Sequence, residues 1–266
     1  MLLNGYINFA LGYVKYSLVL GALLFLVGCA TPSDSNKTAT PETLKTLSSD
    51  IVDMVNTEGQ RVTQNKDPIN NAQHQNLYLK QQKILLANIN TELVNKYQQA
   101  VSFIAKKDYQ KADVLLDEII LAAPKLSGVY VNKAVIAYQQ NKNAEYWLDK
   151  AIAVNKLNPY AHNFKGLLQR QKGNFIQAKQ SYLNALASWP DFTEAHLNLA
   201  ILLELYRGQL LQARMHYQAY LKLKPDDKKV QAYLAGLDIK IKRAGLVIPK
   251  TEPKLDSQKE VNNVIN

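Results

Sequence analysis

The sequence predicts an all-α chain: a solenoid of helix–turn–helix units behind an apolar leader and a polar tether. Three observations predict it. Small residues recur in one column at Ala100, Ala134, Gly166 and Ala200, spaced 34, 32 and 34. They recur in a second column at Ala112, Ala144, Ala178 and Ala213, spaced 32, 34 and 35. Proline then punctuates three of the four windows, at Pro124, Pro190 and Pro225. Repetition at this period marks stacked helical units, none of which can bury its apolar face alone.

Near the start of the chain, Lys15 precedes an apolar run from Ser17 to Val27 that closes on Leu26-Val27-Gly28-Cys29. A basic residue, an apolar segment and a small residue before a cut make a secretory signal. Met1 to Val14 is more apolar than such leaders usually are. An uncleaved span would need about 20 apolar residues. Lys15 divides this stretch and Gly28-Cys29-Ala30-Thr31-Pro32 ends it. The tetrapeptide resembles the lipobox of bacterial lipoproteins, with residues 1–28 as signal peptide and Cys29 as the lipidated residue. That resemblance implies three acyl chains on Cys29 and a stable anchor, since one chain alone holds only marginally. Ala30 and Thr31, in place of an Asp after the Cys, imply the outer membrane and its periplasmic face.

Cys29 is the only cysteine, so lipidation leaves no thiol for a disulfide or a Cys metal site. Lys and Arg number 32 against 22 Asp and Glu, a net charge of +10. A basic chain can bind nucleic acid, but the periplasm excludes that partner and favours anionic envelope surfaces or acidic proteins. The plainer reading is that the lysines solvate helix faces.

Residues 29–41 are small, polar and bounded by Pro41, which reads as a flexible tether. In the 42–92 segment, Leu44, Leu47, Ile51, Val52 and Val55 predict a short amphipathic helix, and 59–71 reads as a loop. Apolar spacing resumes at Leu77, Leu79, Ile84, Leu85 and Ile89. Four windows follow over residues 93–227: Leu93–Leu126, Ser127–Asn158, Pro159–Phe192 and Thr193–Asp227. The third is the clearest, with Gly166, Gly173-Asn174-Phe175, Ala178, Tyr182, Ala185 and Pro190. The first echoes it in Lys107-Asp108-Tyr109, Ala112, Leu116 and Pro124.

These columns resemble the tetratricopeptide repeat (TPR), a unit of 34 residues. Small residues let the two helices approach, rings fill the space between, and proline ends the second helix because it lacks a donor. The second window departs: it is two residues short at Gln140-Asn-Lys-Asn143, lacks the aromatic, and ends in Lys156-Leu157-Asn158 instead of proline. The fourth has an extra residue at Tyr206-Arg207-Gly208-Gln209. Lys133 and Lys165 replace the family's leucine, and are expected to lay their stems on apolar surface with their heads in water. Residues 228–244 read as a capping helix on Val230, Tyr233, Leu234, Leu237 and Ile241, and 245–266 as a disordered polar tail.

No catalytic set is present: no His-Glu-x-x-His, no phosphate-binding glycine loop, no nucleophile elbow. His162 and His196 lie 34 apart, at one repeat position. They read as half-polar packing residues, and no third metal ligand accompanies them. The chain is therefore expected to be no enzyme and to need no cofactor. The resemblance implies a concave groove along the first helices that binds peptides. Its inward positions are Tyr97, Val101, Ile104, Val131, Val135, Tyr138, Asn163, Leu167, Arg170, Asn198, Ile201 and Glu204. The expected function is a non-catalytic scaffold that holds envelope proteins through this groove. A pilotin-like factor for secretin or type IV pilus assembly is the alternative, and an envelope-polymer enzyme a third reading.

Overall fold

A computed structural model describes residues 75–86 and 89–249. The leader, Cys29, the tether, the 42–57 helix and the tail from residue 250 lie outside the described residues. Among these residues the fold is all-α: α1 (Leu77–Leu86), α2 (Thr91–Ala105), α3 (Tyr109–Ala122), α4 (Ser127–Gln139), α5 (Ala144–Val154), α6 (Pro159–Gln171), α7 (Phe175–Ser188), α8 (Thr193–Leu205), α9 (Leu210–Leu223) and α10 (Lys228–Arg243). From α2 onward each helix packs antiparallel on the next, and α2, α4, α6 and α8 also touch in succession. This is the arrangement of a helical-repeat solenoid: an inner row of first helices backed by an outer row of second helices.

Local chemistry sets the helix ends. Asn90, Asp108, Asn143, Asn158 and Asp227 each cap a helix by accepting a backbone N–H near its start. Such a cap satisfies one of the orphan donors of the first turn. Between the helices of each pair, one residue adopts the left-handed region: Lys107 (φ 61°), Asn141 (φ 56°), Gly173 (φ 79°) and Gly208 (φ 64°). Glycine and asparagine reach this region most cheaply. Lys107 occupies it because the same tight turn is imposed by the paired helices on either side.

Both small-residue columns are buried, with Ala100, Ala134, Ala200, Ala112, Ala178 and Ala213 wholly enclosed. Leu116, Leu148, Tyr182 and Tyr217, one per pair, fill the space beside them. Gly166 is where the fit is tightest. A Cβ there would lie 2.7 Å from Tyr182 Cε1, so the ring occupies the volume that alanine would need.

The departures from the repeat resolve physically. The second window's turn is not short. Its left-handed Asn141 stands 15 residues into the window, as Gly173 does in the third. The shortfall falls in the first turn of α5: this helix has 11 residues against 14 in α7, and the turn before it, residues 140–143, is one residue longer than residues 172–174, a net loss of two. Where proline is absent, Asn155 ends α5 by accepting the Leu157 N–H at 2.9 Å. Lys133 does not hold its head in water. Its Nζ pairs with Asp113 (2.8 Å) and Asp117 (2.7 Å) of α3 and sits 4.7 Å from the Trp147 ring centre. A buried ammonium is tolerated only with such partners. Lys165 repeats the arrangement one pair later, on Asp149 at 2.7 Å and half-buried.

Gly166→Ala is expected to destabilise the fold. Overpacking of this kind costs about 1–3 kcal/mol, offset by about 1 kcal/mol of helix propensity. Urea denaturation should show the loss in Gly166→Ala and its recovery when Tyr182→Leu is added.

Candidate functional site

The inner face is built from the first helices, and a repeated hydrogen bond holds each of them to the pair before. The fourth residue of α4, α6, α8 and α10 donates to the carbonyl six residues upstream. Tyr130 Oη donates to Pro124 O (3.1 Å) and Gln231 Nε2 to Pro225 O (2.6 Å). His162 Nε2 meets Lys156 O at 2.9 Å, and His196 Nε2 meets Pro190 O at 2.8 Å. Each carbonyl lies just past a second helix, and the bond ties one pair to the next. The equivalence of Gln231 with the other three places α10 in the register of a first helix, with no second helix behind it among the described residues.

This geometry fixes the histidine tautomers. A carbonyl can only accept, so His162 and His196 carry the proton on Nε2. His196 Nδ1 is then an acceptor, and it faces His216 Nδ1 of α9 at 3.0 Å. His216 must donate through Nδ1, which leaves its buried Nε2 without a hydrogen-bond partner. The partner of His196 is therefore His216, not His162. A cation on His196 would make His216 accept through Nδ1 and carry its proton on the buried, partnerless Nε2. Burial lowers the pKa of His162 and His196, and lowers that of His216 well below the ordinary value.

The inward positions divide into two groups. Tyr97, Val101, Ile104, Val131, Val135, Asn163, Leu167 and Asn198 are buried. Their polar members bond across the helices: Tyr97 Oη accepts from the neighbouring buried Asn132 Nδ2 (2.8 Å), and Asn198 Nδ2 donates to Asn163 Oδ1 (3.1 Å). Such side chains hold the register between pairs and are not open to a ligand. Helix α4 is buried without a break from Ser127 to Ala137, and only its last two residues emerge.

Tyr138, Arg170, Ile201 and Glu204 remain half-buried. Tyr138, Arg170 and Glu204 occupy one equivalent position, near the last turn of α4, α6 and α8. Tyr138 packs edge-on against Phe164 at 5.5 Å and accepts from Gln171 Nε2 at 2.9 Å. Glu204 accepts from Tyr217 Oη at 2.9 Å and pairs with Lys240. Arg170 Nη1 is buried and has no hydrogen-bond partner, which makes it the unspent donor of this rim. Repeat spacing pointed to these positions, but not to which of them stay open. That depends on the neighbours each helix acquires.

Sequence reading missed Tyr78 of α1, which reaches the same face. It is buried and touches Tyr160 of α6 edge-on, with ring centres 6.0 Å apart. Its hydroxyl bonds to Ser127 at the start of α4. Tyr160 in turn packs on Phe192 (5.1 Å) and Trp189 (6.2 Å). Among the described residues, no group of three or more His, Cys, Asp or Glu could hold a metal ion. No described helix is long and apolar enough to cross a membrane. Comparison with models of known protein families finds no match, and comparison with curated proteins finds no relative.

The histidines give a pH dependence whose sign follows from linkage. The unfolded chain takes up protons near pH 6.5, whereas the folded chain, with depressed values, does not. Stability should be full above about pH 7 and fall as the pH drops below 6.5, by at most about 1.4 kcal/mol per pH unit for each histidine. Chemical denaturation between pH 5 and 8 should show this, with a shallower slope in His216→Leu.

Proposed function

We propose that the chain is an outer-membrane-anchored periplasmic lipoprotein of the TPR type, a non-catalytic scaffold that holds protein partners during envelope complex assembly. The observation that carries this reading is the half-buried rim of Tyr138, Arg170 and Glu204 on successive first helices. It is rigidly spaced, carries an unspent guanidinium donor, and sits on a face otherwise locked by its own hydrogen bonds. A preformed surface loses little ordering entropy on binding. Tyr and Arg supply large contact area with a polar tip, which is why they recur as binding anchors. An Arg170 Nη1 left without a partner favours a ligand that brings an acceptor, such as a carboxylate or a peptide carbonyl.

The lipobox-like Leu26-Val27-Gly28-Cys29 supports the location. Lipid on Cys29 would tie the scaffold to the membrane, and residues 30–41 would set its reach.

Two measurements test the reading. Cys29→Ser should abolish palmitate labelling and move the chain from the membrane to the soluble envelope fraction. A photocrosslinking aromatic at Tyr138 should capture one envelope protein in cells. The same probe at Ile176, which is 60 % exposed on the outer helix α7, should not. Arg170→Ala should weaken the capture by about tenfold or more, the loss of one buried anchor worth at least about 1.4 kcal/mol. Equal capture at both probes, or none at Tyr138, would remove the rim as the binding surface.

A further inference from the structure

Helix α1 does not simply add a layer to the end of the array. A helix stacked on the end would touch the first pair alone. Tyr78 instead reaches Ser127 at the start of α4 and Tyr160 near the start of α6. Its phenol also interacts with that of Tyr97 in α2. The first helices of three consecutive pairs meet around one side chain, and they share only the inner face. Ser127, whose hydroxyl accepts from Asn158 Nδ2 at 2.9 Å, is free to donate to Tyr78. The tyrosine is 2 % exposed, and Gln82, one turn later on the same side of α1, is 4 % exposed. Ile84, on the other side, is 71 % exposed.

The fit is incomplete. Gln82 Nε2 is buried without an acceptor, and Asn132 Oδ1, in the middle of α4, is buried without a donor. An enclosed polar atom left unpaired disfavours the state that encloses it. A better-matched helix could satisfy both and take the place of α1.

We infer that Leu77–Leu86 is a built-in occupant of the inner face, and that this face accepts from a partner an amphipathic helix presenting a tyrosine and, four residues later, an amide. The inference rests on reading the inner face as the binding surface. It adds the chemistry of the ligand and a requirement that α1 be displaced. Tyrosine would enter the cradle of Tyr97, Ser127 and Tyr160, and the amide would lie against α4. Because α1 joins α2 through a short connection, it competes at an effective concentration on the order of mM.

The test is fluorescence anisotropy of a labelled peptide with the sequence of residues 75–90, titrated with the full chain in detergent. Two variants open the face by different routes: Tyr78→Asp puts a charge into the cradle, and Lys80→Pro breaks α1 without touching the groove. Both should bind the peptide at least about tenfold more tightly than the unaltered chain, where the linked copy competes. Adding Tyr160→Ala to Tyr78→Asp should abolish the capture. Equal binding by the unaltered chain and the variants would overturn the inference. So would binding by none of them, or capture indifferent to Tyr160→Ala. Loss of helical circular dichroism well beyond the 10 residues of α1 in both variants would make α1 part of the fold and overturn it equally. A partner crosslinked at Tyr138 in cells without peptide capture would sink this inference and leave the scaffold reading standing; peptide capture with no crosslinked partner would do the reverse.

Discussion

The close approach of paired helices is the constraint on which the rest of this structure depends. Alanine or glycine stands wherever the two helices of a unit, or two adjacent units, meet most closely. A leucine or tyrosine from the second helix fills the space so created. Packing at interior density leaves no tolerance for an added methyl group, and Gly166 beneath the Tyr182 ring is the limiting case. With the spacing set, each turn must bridge the same short gap. That is why a left-handed residue recurs at Lys107, Asn141, Gly173 and Gly208, whatever its chemical type.

Polar side chains then fix how one unit sits on the next. Tyr130, His162, His196 and Gln231 differ in chemistry but perform one task, donating to the carbonyl that a terminating second helix leaves without a partner. The task needs only a donor at the right reach, so a phenol, an imidazole and an amide serve equally. Lys133 and Lys165 likewise bind carboxylates of the preceding second helix. Apolar contact is non-directional. These directional bonds supply the register that it does not.

The same bonds decide what the inner face can offer. Asn163, Asn198, Tyr97 and Asn132 spend donors and acceptors on one another, and Tyr78 closes the face over α4 and α6. An unspent donor is left at the rim, on Arg170 Nη1. On the proposed reading, a scaffold with this distribution would meet a partner at its edge and yield its centre only when α1 moves. The neutral His196–His216 pair adds an acid-sensitive joint between α8 and α9, away from the cradle of Tyr78.

The repeat period, the small-residue columns, the rings that fill the gaps and the helical nature of the chain were legible in the sequence alone. Each is a local or periodic property that any stacked array of these helices must satisfy. The sequence also carried the lipobox-like tetrapeptide, whose meaning is chemical and not conformational. Tertiary structure alone decided which inward residues are open, because burial depends on neighbours from two other units. It moved the second window's deletion into α5, gave Lys133 two carboxylates in place of water, and paired His196 with His216. It also brought Tyr78 onto helices that begin at Ser127 and Pro159, far along the chain from it. Periodicity describes a helix against its immediate partners. It holds no information about a segment that crosses the face of the array.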